Sequence, residues 1–167
     1  RSELMAVKSL IETVTVGAGG ASSIEFTAIP QDGSDLICVF SERHSTDGNT
    51  RLTFNGSGSG YDSINLYGNG TSTSSGSYSG VFIYANDQGP STTANTFGSA
   101  QVYVSNYTSS AAKSVSVELV TENNATAANQ YLIAGSWSGT AITSLTVAAS
   151  TGFVEHTTAS LFKIKYD

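Results

Sequence analysis

The chain has 167 residues, of which 12% are charged, and its 13 acidic against 7 basic side chains give a net charge of −6. That length suffices for one domain that buries roughly 70% of its unfolded surface without a metal or a disulfide, and scattered basic residues exclude the clustered Lys and Arg on which nucleic-acid binding rests. No stretch approaches the ~18 consecutive apolar residues of a membrane helix, and the start lacks the apolar core of a signal peptide, so a soluble protein made in a cytoplasm is expected.

Arg1-Ser2-Glu3-Leu4 ahead of Met5 reads as a cloning remnant, which leaves 5–167 as a single β-sandwich domain. Strand signals then recur at short intervals between Gly, Asn, Asp, Ser and Pro clusters. The first is Leu10–Val16. Period-2 alternation follows in Ile24, Phe26 and Ala28, expected inward against Glu25 and Thr27. Leu36–Phe40 is continuously apolar and predicts a strand central in its sheet or covered on both faces. Cys38 within it is expected to be a buried structural thiol. Leu52 and Phe54 oppose Arg51 and Thr53, and further strands are expected at Ile64–Tyr67, Val81–Tyr84 and Ala100–Val104.

The clearest alternation is Ser114–Val120, with Val115, Val117 and Leu119 inward. Tyr131–Trp137 and a strand carrying Leu145 and Val147 come next. In Ser160–Tyr166 the set Phe162, Ile164 and Tyr166 opposes Lys163 and Lys165, and is expected to face inward. The count is about ten to eleven strands without a long helix, which suits an all-β, jelly-roll-like antiparallel sandwich better than a seven-stranded immunoglobulin fold.

Gly56–Tyr61 and Gly68–Gly80 read as Gly/Ser-rich loops with interleaved Tyr61, Tyr67 and Tyr78. Such mixtures serve either as solvated linkers or as adaptable recognition surfaces. Trp137 fits a core plug or a surface aromatic.

Residues suited to catalysis are thin. His44 and His156 are the two histidines, neither in a metal-ligand spacing, and both are expected at the surface or in loops. Glu42, His44 and Asp47 share one loop with Arg43 and read as a hydrophilic turn. Asp32-Gly33-Ser34-Asp35 lacks a calcium-loop ligand series. Glu25 and Glu118 fall on polar strand faces, and no GxSxG element occurs. No catalytic residue, metal site or cofactor is expected.

Three stretches, LIETVTVGAGGASSIEFTAIPQDGSDL, ANTFGSAQVYVSNYTSSAAKSVSVELVTENN and AGSWSGTAITSLTVAASTGF with TASLFKI, resemble small virion proteins of tailed bacteriophages. The likeness runs from about Leu10 to Ile164 and is weaker over Arg51–Pro90. It implies a structural β-sandwich of the tail, fibre or capsid exterior, located in the virion, packed with other virion proteins and with copies of itself. A trimer is the first expectation, since closed symmetry is the rule for homo-oligomers. Contact with a host-surface glycan would extend that role. The alternative from another class is a carbohydrate-binding module that uses Tyr61, Tyr67, Tyr78 or Trp137 as stacking platforms. A glycosidase or depolymerase ranks third.

Overall fold

The computed structural model describes residues 5–80, 82–86, 89–122, 124 and 128–166, with the backbone alone for 82–86. The expected remnant Arg1–Leu4 and the strand residue Val81 lie outside them. Twelve strands are present among the described residues: β1 (Ala6–Thr15), β2 (Ala21–Phe26), β3 (Asp35–Glu42), β4 (Gly48–Phe54), β5 (Tyr61–Gly68), β6 (Thr73–Gly80), β7 (Phe82–Asn86), β8 (Gly98–Val104), β9 (Lys113–Glu122), β10 (Ala128–Trp137), β11 (Leu145–Phe153) and β12 (Thr158–Tyr166).

They form two antiparallel sheets, eight strands in the order β1-β12-β3-β8-β9-β10-β5-β6 and four in the order β2-β11-β4-β7. The pairs β1 with β12, β2 with β11, β3 with β8 and β4 with β7 nest inside one another. That is one long hairpin rolled up into two sheets, which is a jelly roll. Two short hairpins are inserted into it. β5–β6 interrupts the path from β4 to β7, and β9–β10 the path from β8 to β11. They join through β10 and β5 and lengthen the larger sheet by four strands.

Alternation selects the core. Val115, Val117 and Leu119 are 3%, 1% and 0% exposed, with Ser116 and Glu118 outside. Ile24 and Phe26 of β2, Leu52 and Phe54 of β4, and Leu145 and Val147 of β11 are buried as their spacing predicts. Burial of each such side chain contributes about 1.5–3 kcal/mol. Leu36, Cys38 and Phe40 point into the sandwich from β3, an interior strand of its sheet, and burial pushes the Cys38 thiol pKa well up.

Three expectations are corrected. Ala28 is not an inward strand residue: β2 ends at Phe26, and Ala28 is exposed with φ 51°. On β12, Ala159 and Leu161 fill the core, while Phe162, Ile164 and Tyr166 take the opposite face. Lys163 reaches solvent at the sheet margin and pairs with Asp32 at 2.6 Å. The twelfth strand is β6, whose TSSGSYSG sequence has no apolar alternation; it is held by an unbroken register with β5 from Tyr61↔Gly80 to Gly68↔Thr73.

One turn is fixed by a single side chain. Asn55 follows β4 with φ 52°, a left-handed conformation that Asn tolerates better than most residues. Its amide nitrogen donates to the Ala141 carbonyl at 2.8 Å, and its Oδ1 accepts from the amides of Thr143 and Ser144 at 2.8 and 3.1 Å. The 141–144 segment, with Ile142 fully buried, is thereby tied to the end of β4.

Candidate functional site

The broadest surface is the outer face of the eight-stranded sheet. No other element of the chain covers it among the described residues, yet it is not uniformly polar. Ile64 is 60% exposed, Leu66 59%, Leu132 46% and Val39 36%. The register explains their proximity: Leu66 is the cross-strand partner of Leu132, and Ile64 of Ala134. Three shallow depressions lie along this face. One of about 520 Å³ runs between Ile64, Ser77 and Ala134, and one of about 700 Å³ between Leu66, Ser75, Gln130 and Leu132. The third, about 290 Å³, lies by Val39, Gln101, Glu118 and Val120.

Of the four aromatics expected to stack on a ligand, two are buried in the core and two border these depressions. Tyr61 and Trp137 are 2% and 4% exposed, so neither is a surface platform. They are cross-strand partners on the inner face, their ring centroids 6.0 Å apart, and each packs on Phe54, at 6.1 and 5.3 Å. The Phe54 amide donates to the Tyr61 hydroxyl at 2.7 Å, and burial raises the phenol pKa. Trp137 is thus the core plug of the two readings. Tyr67 is half-buried, packs on Tyr131 with centroids 4.7 Å apart, and donates to Asn129 Oδ1 at 3.2 Å. Tyr78, 47% exposed, stands opposite Ser63 on the same inner side. Tyr61 and Trp137 are therefore closed inside the sandwich, whereas Tyr78 borders the depression beside Ile64 and Tyr67 the one beside Leu66.

His44 is 1% exposed rather than a surface residue, which corrects the sequence expectation. The Thr50 hydroxyl donates to Glu42 Oε2 at 3.0 Å and lies 2.8 Å from His44 Nε2. Since a hydroxyl has one proton, Thr50 must accept from Nε2–H, and that fixes the imidazole tautomer. Burial lowers the His44 pKa to about 4, against a smaller opposing pull from Asp47. Its ring meets Phe153 edge-on at 5.5 Å. Glu42, Thr50 and His44 are buried between the sheets. Among the described residues no three His, Cys, Asp or Glu side chains are grouped to hold a metal ion. His156 is exposed in a loop, as expected.

The remaining charged groups organise backbone. Arg43 donates to Gly89 O, Thr92 Oγ1, Thr93 O and Thr96 O at 2.8–3.1 Å, so one guanidinium gathers the 89–96 loop. Glu122 holds the same loop from the other side, accepting from the Thr93 amide and hydroxyl. Lys113, 1% exposed, donates to the carbonyls of Ser109 and Ala111, and burial lowers its pKa. Asp35 is held by hydrogen bonds. It opens β3 and accepts from the Tyr103 and Tyr166 hydroxyls at 2.7 and 3.1 Å and from the Asn106 amide at 2.8 Å. The hydrogen bond to Asp35, with burial second, raises the Tyr103 pKa.

The exposed aliphatic face was missed by the alternation argument, but a signal for it exists. Val39-Phe40, Leu66-Tyr67, Leu132-Ile133 and Leu161-Phe162 are apolar doublets inside strands. In a strand, adjacent side chains point to opposite faces. Each doublet therefore places one apolar group outside the sandwich.

No protein-family model matches the chain, and no curated protein matches it. Among solved structures it is similar to a protein of unknown function from Shewanella oneidensis MR-1, at 13% identity and a TM-score of 0.34, over 98% of this chain and 78% of that one.

Proposed function

We propose that the chain is a non-enzymatic structural protein of a bacteriophage virion exterior, a tail, fibre or capsid-decoration component that packs through its large sheet against other virion subunits. The observation that carries this reading is the outer sheet face, where Val39, Ile64, Leu66 and Leu132 stand in solvent over a surface of eight strands. Ile64, Leu66 and Leu132 adjoin across β5 and β10, and adjoining exposed apolar groups are characteristic of association surfaces. The phrasing of the chain, which resembles tailed-phage virion proteins, supplies the setting. The use of Glu42, His44, Arg43 and Glu122 as internal struts is consistent with a scaffold. Immunogold electron microscopy of intact particles tests the reading. Label on the exterior is expected; absence of the protein from purified virions overturns it.

A second reading is a glycan-binding module. The depressions over β10, β5 and β6 favour it, because Ser75, Ser77, Gln130 and Asp62 surround the Ile64–Leu66 ridge with hydrogen-bonding groups. In that case the aliphatic ridge, with Tyr67 and Tyr78 at the margins of the depressions, is the sugar-facing surface. Binding on a glycan array that is lost in Gln130→Ala would support it, and an array without signal would reject it.

A further inference from the structure

We infer that Asn69-Gly70, at the tip of the β5–β6 hairpin, is a self-modifying site: the backbone nitrogen of Gly70 closes on the side-chain amide of Asn69 and converts residue 69 to aspartate and isoaspartate. This does not depend on the virion reading. The same dipeptide occurs at Asn55-Gly56, and its surroundings are different.

Asn69 follows Gly68, the last residue of β5 paired with β6. Its Oδ1 accepts from the Thr71 and Ser72 amides at 3.1 and 2.8 Å, and from their hydroxyls at 2.9 and 3.1 Å. Two backbone N–H groups donate to this atom, so it is the oxygen of the carboxamide and not the nitrogen. All four donors belong to the two residues beyond Gly70, which keep the carboxamide folded back over its own chain. Among the described residues Nδ2 has no hydrogen-bond partner, so the leaving nitrogen is untethered. Gly70 is exposed, with φ 83°, and sets no side chain against the attacking nitrogen.

Attack joins Gly70 N to Asn69 Cγ. The Cγ–Nδ2 bond breaks, and the proton lost by Gly70 N leaves with Nδ2 as ammonia. Water then opens the cyclic imide, at Cγ to give aspartate or at the backbone carbonyl to give isoaspartate, and is the one co-reactant. Negative charge gathers on Oδ1 during the attack. The four donors already hold that atom, so they bind the transition state more tightly than the neutral amide.

Asn55 is held otherwise. The Thr143 and Ser144 donors to its Oδ1 come from a distant segment, and its Nδ2 donates to the Ala141 carbonyl at 2.8 Å. Loss of ammonia there requires that 141–144 first detach. Asn69 therefore reacts in the folded chain and Asn55 on unfolding. Isoaspartate adds a methylene to the backbone at a residue whose amide donates to the Ser72 carbonyl at 3.2 Å, so conversion disturbs the turn that starts β6.

Peptide mapping by mass spectrometry of the full chain, incubated folded at neutral pH, tests this. Cleavage after Tyr61 and Tyr67 puts the two asparagines on separate peptides. The Asn69 peptide should gain about 1 Da and become a substrate for isoaspartyl methylation, at least about tenfold faster than the Asn55 peptide. In urea the two rates should converge. Thr71→Val combined with Ser72→Ala removes the two hydroxyl donors at exposed positions, and should slow conversion of Asn69 by about tenfold. The comparison of Asn69 with Asn55 needs neither substitution. An Asn69 that does not react in the folded chain, equal rates at the two asparagines before unfolding, or a double variant that reacts as fast as wild type overturns the inference.

Discussion

The hydroxyl of Thr50 sits 2.8 Å from His44 Nε2 and donates its hydrogen bond to Glu42, so a neutral imidazole is locked between the sheets. Its pKa near 4, below the ordinary 6.5, means that the folded chain binds fewer protons than the unfolded one between those values. Stability therefore rises with pH across that window. Between pH 7 and pH 5 the loss attributable to His44 is about 2 kcal/mol. Urea denaturation at the two pH values should show it, and His44→Asn should flatten the slope. A slope unchanged by that substitution contradicts the assignment.

Trp137 is the sole tryptophan, which makes its burial easy to read. Its emission should be blue-shifted and resist iodide quenching, and glycans should leave it unchanged. Gly139 lies directly against the indole, inside the space that a Cβ would need. Gly139→Ala should destabilise the fold by about 1–3 kcal/mol through overpacking and shift the emission to the red. A variant with native emission and melting temperature would refute this packing.

Asn55 combines a left-handed backbone with four side-chain hydrogen bonds to the 141–144 segment. Asn55→Ala loses both and should cost about 2 kcal/mol in chemical denaturation. Asn55→Gly keeps the backbone freedom and should cost less. Equal costs would show that the side-chain bonds alone matter.

Arg43 spreads four donated bonds over the 89–96 loop, and only a planar guanidinium covers that span. In Arg43→Lys, hydrogen exchange of the loop amides should accelerate by about tenfold, following loss of about 1.4 kcal/mol of local stability. Rates equal to wild type would remove Arg43 from this role.

The strands were legible wherever a single parity was apolar, as in Val115, Val117 and Leu119. β12 misled because Leu161 and Phe162 are both apolar, and the larger set, Phe162, Ile164 and Tyr166, takes the outer face. β6 left no trace, since Ser, Gly and Thr carry no facial preference and its pairing with β5 is a backbone matter. The tyrosines looked available because strand pairing is non-local: only the register Tyr61↔Trp137 shows that both turn inward. His44, set between Arg43 and Ser45, has a neighbourhood that reads as solvated, and its burial arises from the closure of β11 and its Phe153 over it.

The nested pairing that makes the roll also brings Ala6 opposite Tyr166 on one ladder. A load applied between these two residues pulls β1 and β12 apart across their hydrogen bonds, which then break in sequence rather than together. The barrel-like body thus has a mechanically weak seam: tension would unzip it at low force from Ala6 towards Thr15, whereas strands anchored at opposite ends would have to be sheared.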